Sequence, residues 1–129
     1  MAHELIPKEG QPPLPIDEII RRLKGSFKHV KLDIERASKD CKESIQRMTS
    51  ALKRGAKWCS AEDVDREKRV LGHSVYVIVA DDPSTYISFT LSPETEKIFI
   101  GFESGWNEQA ATPLCERLEE VLDYDMEIV

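Results

Sequence analysis

SVYVIVADDPSTYISFTLSPETEKIFIGF, residues 74–102, decides the fold class. Ser74–Ala80 is rich in Val and Tyr, Thr85–Leu91 alternates apolar with polar residues, and Lys97–Phe102 is short and apolar. Asp81-Asp82-Pro83-Ser84 and Ser92-Pro93-Glu94-Thr95 supply turn chemistry between these runs. The pattern predicts a three-stranded antiparallel meander. Ile87, Phe89, Leu91, Ile98, Ile100 and Phe102 then share a face suited to a core, while Tyr86, Ser88, Thr90 and Phe99 make a mixed opposite face.

Before residue 73 the period is helical. Ser60-Ala61-Glu62-Asp63 resembles a capping box with Asp in the Glu position, and Gly72 suits the position after a helix end, so a short helix is expected over about 61–70. Further upstream, apolar or small residues fall at Ile16, Ile20, Leu23, Phe27, Val30, Ile34, Ala37, Cys41, Ile45, Met48 and Leu52. Steps of three and four make this close to a heptad seam. Asp17/Arg21, Glu18/Arg22, Glu35/Lys39 and Glu43/Arg47 add acid-before-base pairs four apart. A continuous helix over 16–52 would be about 55 Å long, against roughly 35 Å for a compact domain of this size. Either it breaks near Gly25-Ser26, or it projects and needs a partner to cover its stripe.

Downstream, Thr112-Pro113 reads as a helix start, a capping hydroxyl followed by Pro. Leu114, Leu118, Val121 and Leu122 give that helix its apolar face, and the alternation over 124–129 matches a closing fourth strand. Residues 1–15, with Pro7, Pro12, Pro13, Pro15 and Gly10, read as an extended proline-rich tail. The expected architecture is therefore α+β, with one domain over 16–129 made of a helical part (16–57) and a sheet and helix part (58–129).

The 129 residues are 40% apolar and 33% charged, a composition suited to one lean globular domain. No apolar run approaches the length of a membrane helix. The start, MAHELIPKEG, lacks the basic and apolar regions of a secretory signal. Cys41, Cys59 and Cys115 are odd in number and far apart, which favours reduced thiols and a cytoplasmic setting.

Candidate chemistry is sparse. His3, His29 and His73 stand apart and no Cys-x-x-Cys or His-x-x-x-His occurs, so no metal or cofactor is expected. Cys59 follows Lys53, Arg54, Lys57 and Trp58 and precedes a helix start, two influences that lower a thiol pKa. It lacks a histidine partner in the local sequence, and the expectation is a Cys, beside Trp58 in sequence, that packs at a helix junction. Nothing combines a nucleophile, a base and an orienting group, so an enzyme is not expected.

Charge is the stronger signal. Net charge is −6, but residues 16–57 carry twelve Lys/Arg against six Asp/Glu, and residues 103–129 carry eight acids against Arg117 alone. Asymmetry of this kind suits association between opposite surfaces. The leading expectation is a small interaction protein that binds itself, as a homodimer, or another protein. Its interface would use Ile34, Cys41, Ile45, Met48 and Leu52 of the seam together with Glu116, Glu119, Glu120 and Asp123. The alternative is a nucleic-acid-associated factor using Arg21, Arg22, Lys24, Lys28 and Lys31, although the negative net charge runs against the usual footprint. A third reading is an acidic inhibitor or immunity-type protein that blocks a basic site, by analogy of charge and size.

Overall fold

The computed structural model describes residues 3–82, 85–93, 97–101 and 108–128. In chain order these form β1 (His3–Pro7), α1 (Ile16–Ser26), β2 (His29–Asp33), α2 (Ile34–Lys53), α3 (Ala61–Val70), β3 (Val75–Asp82), β4 (Thr85–Leu91), β5 (Ile98–Ile100), α4 (Glu108–Leu122) and β6 (Tyr124–Ile128). The class is α+β, with two three-stranded antiparallel sheets in the orders β2-β3-β4 and β5-β1-β6. They meet where Ser88 of β4 bridges Gly101, just beyond β5, through reciprocal backbone hydrogen bonds of 3.3 and 2.7 Å. The spatial order is thus β2-β3-β4-β5-β1-β6.

Side-chain alternation assigns the layers. Val75, Val77 and Val79 of β3, Ile87, Phe89 and Leu91 of β4, Ile98 and Ile100 of β5, and Leu5 of β1 are buried on one face. Against them lie Ile19 and Leu23 of α1 and Ala111, Leu114, Cys115, Leu118 and Leu122 of α4. The expected core face is therefore present, with Phe102 outside the described residues. Over the opposite face runs α2, with the Arg36 guanidinium 3.9 Å from the centre of the Tyr76 ring. A smaller core of Met48, Ala51, Cys59 and Val64, with Ile45, Leu52 and Ala56 at its margin, joins α2 to α3. Ser60 caps α3 in a full capping box with Asp63, and Gly72 takes a positive φ just after that helix, as the sequence predicts.

Of the two readings of 16–52, the break near Gly25-Ser26 is the one present: α1 ends at Ser26, and Asp33 caps α2 by accepting from the Arg36 N–H at 2.9 Å. The strand between them, β2, is not expected from the sequence, and three further expectations are corrected. The seam misleads here because Phe27, Val30 and Ile34 keep helical spacing while HVKLD pairs with β3, setting Val30 opposite Val79 and Leu32 opposite Val77. The tail reading of 1–15 fails at residues 3–7, which form β1 between β5 and β6. The meander holds for β3 and β4, but the ladder of β5 runs to β1, with only the Ser88–Gly101 bridge towards β4. Finally, α4 begins at Glu108, so Pro113 lies inside it. The fourth strand is present as β6, paired antiparallel with β1.

Candidate functional site

The seam residues expected at an interface are mostly used inside the molecule. Met48 is buried in the α2–α3 core, with Ile45 and Leu52 partly buried beside it. Cys41 is buried too, and its Sγ donates to both the backbone oxygen and Oε2 of Glu67 on α3, each at 3.3 Å. Only Ile34, 61% exposed at the start of α2, remains on the surface. These five residues do not make one exposed stripe, because α3 and β3 already cover the face that carries four of them.

The acidic residues behave differently. Glu116, Glu119 and Glu120 stand on the outer side of α4, and Asp123 turns the chain into β6 with a left-handed φ of 56°. Together with Asp125, Tyr124 and Lys8 they line an open hollow of about 510 Å³. Lys8 Nζ donates to Asp123 Oδ1 at 2.6 Å, a contact across 115 residues of sequence. The Asp123 carboxylate, followed by Asp125 and Glu119, raises the Lys8 ammonium above its ordinary pKa. Lys8 is the one cation lining the hollow among the described residues. One hydrogen bond from it leaves most of the carboxylate charge facing solvent.

The basic residues are spread over several elements. On α1, Arg21 donates twice to Glu18 and Arg22 once, and these hydrogen bonds, Arg21's first, hold the Glu18 carboxyl down at about 2. Arg22 also donates to the Val121 carbonyl of α4 at 3.3 Å. Lys24 is exposed on α1, Lys28 on the following turn and Lys31 on β2. Arg117, the lone cation among the eight acids of 103–129, leaves that surface: it pairs with Asp81 and lies 5.1 Å from the centre of the Phe27 ring. The negative charge of α4 is therefore not offset by its own arginine.

A second hollow, about 460 Å³, lies between α2 and the sheet. Asp40, Cys41 and Ser44 form its helix wall, and Ser88, Thr90 and Phe99 are on its strand side. The mixed strand face was legible in the sequence, but its helical cover was not. Burial first, and then the Glu67 hydrogen bond, pushes the Cys41 thiol up to about 11. Burial raises Cys115 to about the same value. Cys59 packs at the junction of α2 and α3, as expected, buried with its Sγ 3.8 Å from the Met48 carbonyl oxygen, while Trp58 is 63% exposed. Near pH 8 a thiol raised to about 11 holds on the order of 100-fold less thiolate than an ordinary one. Cys41 and Cys115 in the folded protein should accordingly react with iodoacetamide more slowly than after unfolding in urea, by on the order of 100-fold. Equal rates, read by mass spectrometry of the labelled peptides, would contradict this packing.

Among the described residues no group of three His, Cys, Asp or Glu is placed to hold a metal ion, and no helix is long and apolar enough to cross a membrane. No family model, curated protein or solved structure matches the chain.

Proposed function

We propose that this chain is a small non-enzymatic interaction protein whose acidic hollow docks on a basic surface of another protein. The observation that carries this reading is the convergence of Glu116, Glu119, Glu120, Asp123 and Asp125 on one concave surface with a single lysine. Carboxylates gathered in a concavity focus the field, steer a cationic partner and fix its orientation. Basic residues on α1 give weaker support to nucleic-acid binding, since Arg21 and Arg22 are already engaged by Glu18.

The test uses octa-arginine as a cationic probe and a short DNA duplex as its counterpart, each followed by amide chemical shifts of the whole protein. Octa-arginine should shift residues 8 and 116–125, and the shifts should fade as salt rises. Changing Glu116, Glu119 and Glu120 to Gln and Asp123 to Asn should remove them while leaving the other resonances in place. Shifts spread evenly over all exposed acids would overturn the reading. Duplex binding through Arg21, Lys24, Lys28 and Lys31 would replace it with the nucleic-acid alternative.

A further inference from the structure

Among the described residues two strands each have a single neighbour: β2 pairs with β3 alone and β6 with β1 alone. A strand with one neighbour leaves a row of backbone donors and acceptors available to another chain. Every step across the sheet from β2 to β6 is antiparallel, including the Ser88–Gly101 bridge. Five reversals leave β6 running opposite to β2. A second copy placed alongside would therefore bring its β6 against β2 of the first in the antiparallel sense.

The side chains agree on both faces. Val30 and Leu32 of β2 lie opposite Val79 and Val77, on the side of the main core. Tyr124 and Met126 of β6 lie on that same side, with Met126 opposite Leu5. On the other face β2 presents His29 and Lys31, and β6 presents Asp125 and Glu127, all four exposed. Setting Val30 opposite Met126 places Leu32 against Tyr124, Lys31 against Asp125 and His29 against Glu127, four complementary pairs within the two strands. Asp33 then falls opposite Asp123, just before β6, where Lys8 already pairs with that carboxylate. A shift of two residues, to Leu32 opposite Met126, instead brings Asp33 against Asp125 inside the ladder. A shift of one reverses the faces and sets charge against apolar side chains. Leu32, 37% exposed at this edge, gains cover in the favoured register.

We propose that copies of this chain associate head to tail, β2 of one copy adding antiparallel to β6 of the next with Val30 opposite Met126. Lysine on an edge strand ordinarily deters pairing. Here the complement to Lys31, two acids on the matching face of a strand with a free edge, is built into the same chain. The contact is heterologous, so each addition leaves one β2 and one β6 open and the assembly grows with concentration. It is small, four facing pairs between strands of five residues each, which places it among weak, reversible interfaces. It shares Asp125 with the acidic hollow but needs no foreign partner there.

Residues directly opposite on paired strands bring their Cα atoms within disulfide range. Val30→Cys and Met126→Cys proteins, mixed and oxidised, should form a mixed disulfide dimer well above the level of either protein alone. The native thiols are buried and make a quiet background. Adding Lys31→Glu to the first protein should lower the yield at least about threefold, and adding Asp125→Lys to the second should restore it. Binding of octa-arginine to the hollow should be unchanged by Lys31→Glu, so failure of the edge contact and failure of hollow docking can be told apart. Sedimentation of the unaltered protein should show a weight-average mass that rises with concentration. A single monomer up to millimolar concentration, or a mixed disulfide no more abundant than the self-disulfides, would overturn the proposal.

Discussion

A chain starting at residue 9 is expected not to fold. Its missing segment contains β1, the middle strand of β5-β1-β6, so β5 and β6 both lose the neighbour that pairs them into the sheet. The three residues of β5 would then be held by the Ser88–Gly101 bridge and by core contacts alone. Leu5, fully buried in the main core, would leave a cavity facing the core side chains of the sheet and α4. Loss of a buried leucine alone costs about 2–5 kcal/mol, against a typical total stability of roughly 5–15 kcal/mol. Adding the loss of eight cross-strand partnerships removes any plausible margin. The shortened protein should show no cooperative urea transition and no dispersed amide spectrum. Leu5→Ala in the full chain should remain folded but with a lower midpoint. A cooperative transition in the shortened protein would mean that residues 3–7 are the appendage their composition suggests.

That composition explains why β1 was not legible. HELIP has adjacent Leu5 and Ile6, a buried Glu4 and a closing Pro7, so it lacks the clean alternation that marks β4. Its partners lie about 95 and 120 residues away, beyond any local pattern, and proline nearby favoured the tail reading. The failure at β2 has a different origin. Within 27–34, steps of three and four fit a helix, whereas the strand is defined by Val30 and Leu32 against β3. Leu32 was outside the seam and was the residue that distinguished the two readings. For β3 and β4 the turn residues and the alternation agreed with the long-range pairing, and there local inference sufficed.

The surfaces divide along the same line. Charge counting over 103–129 located the acids, and helical spacing placed Glu116, Glu119 and Glu120 on the outer side of one helix. Lys8 could not be foreseen as their neighbour, since β1 carries it to the end of β6 through pairing across the whole chain. The place of the seam residues inside the molecule was illegible for a related reason. An amphipathic helix announces that something covers its apolar stripe, but not whether the cover belongs to the same chain. For α2 the cover is α3 and β3.

Leu118→Ala is expected to separate the two roles of α4. Leu118 has no exposed surface and sits in the main core with Leu114, Cys115 and Leu122 from the same helix. Its truncation should cost about 2–5 kcal/mol, at the upper end if the sheet cannot settle into the space. One and two positions further along, Glu119 and Glu120 face the hollow, and Asp123 meets Lys8 through an ion pair whose partners are about half exposed. An exposed pair of this kind contributes at most about 1 kcal/mol. Neutralising Glu116, Glu119, Glu120 and Asp123 together should therefore leave stability within about 1 kcal/mol, since relief of repulsion among four acids opposes the lost pair. Urea titration of both proteins gives the comparison, with equal slopes required before midpoints are converted to free energies. A loss below about 1 kcal/mol for Leu118→Ala would show that α4 is not seated on the sheet in this way. A fourfold neutralised protein as unstable as Leu118→Ala would make the acids part of the fold, and any loss of octa-arginine binding would then no longer report on a docking surface.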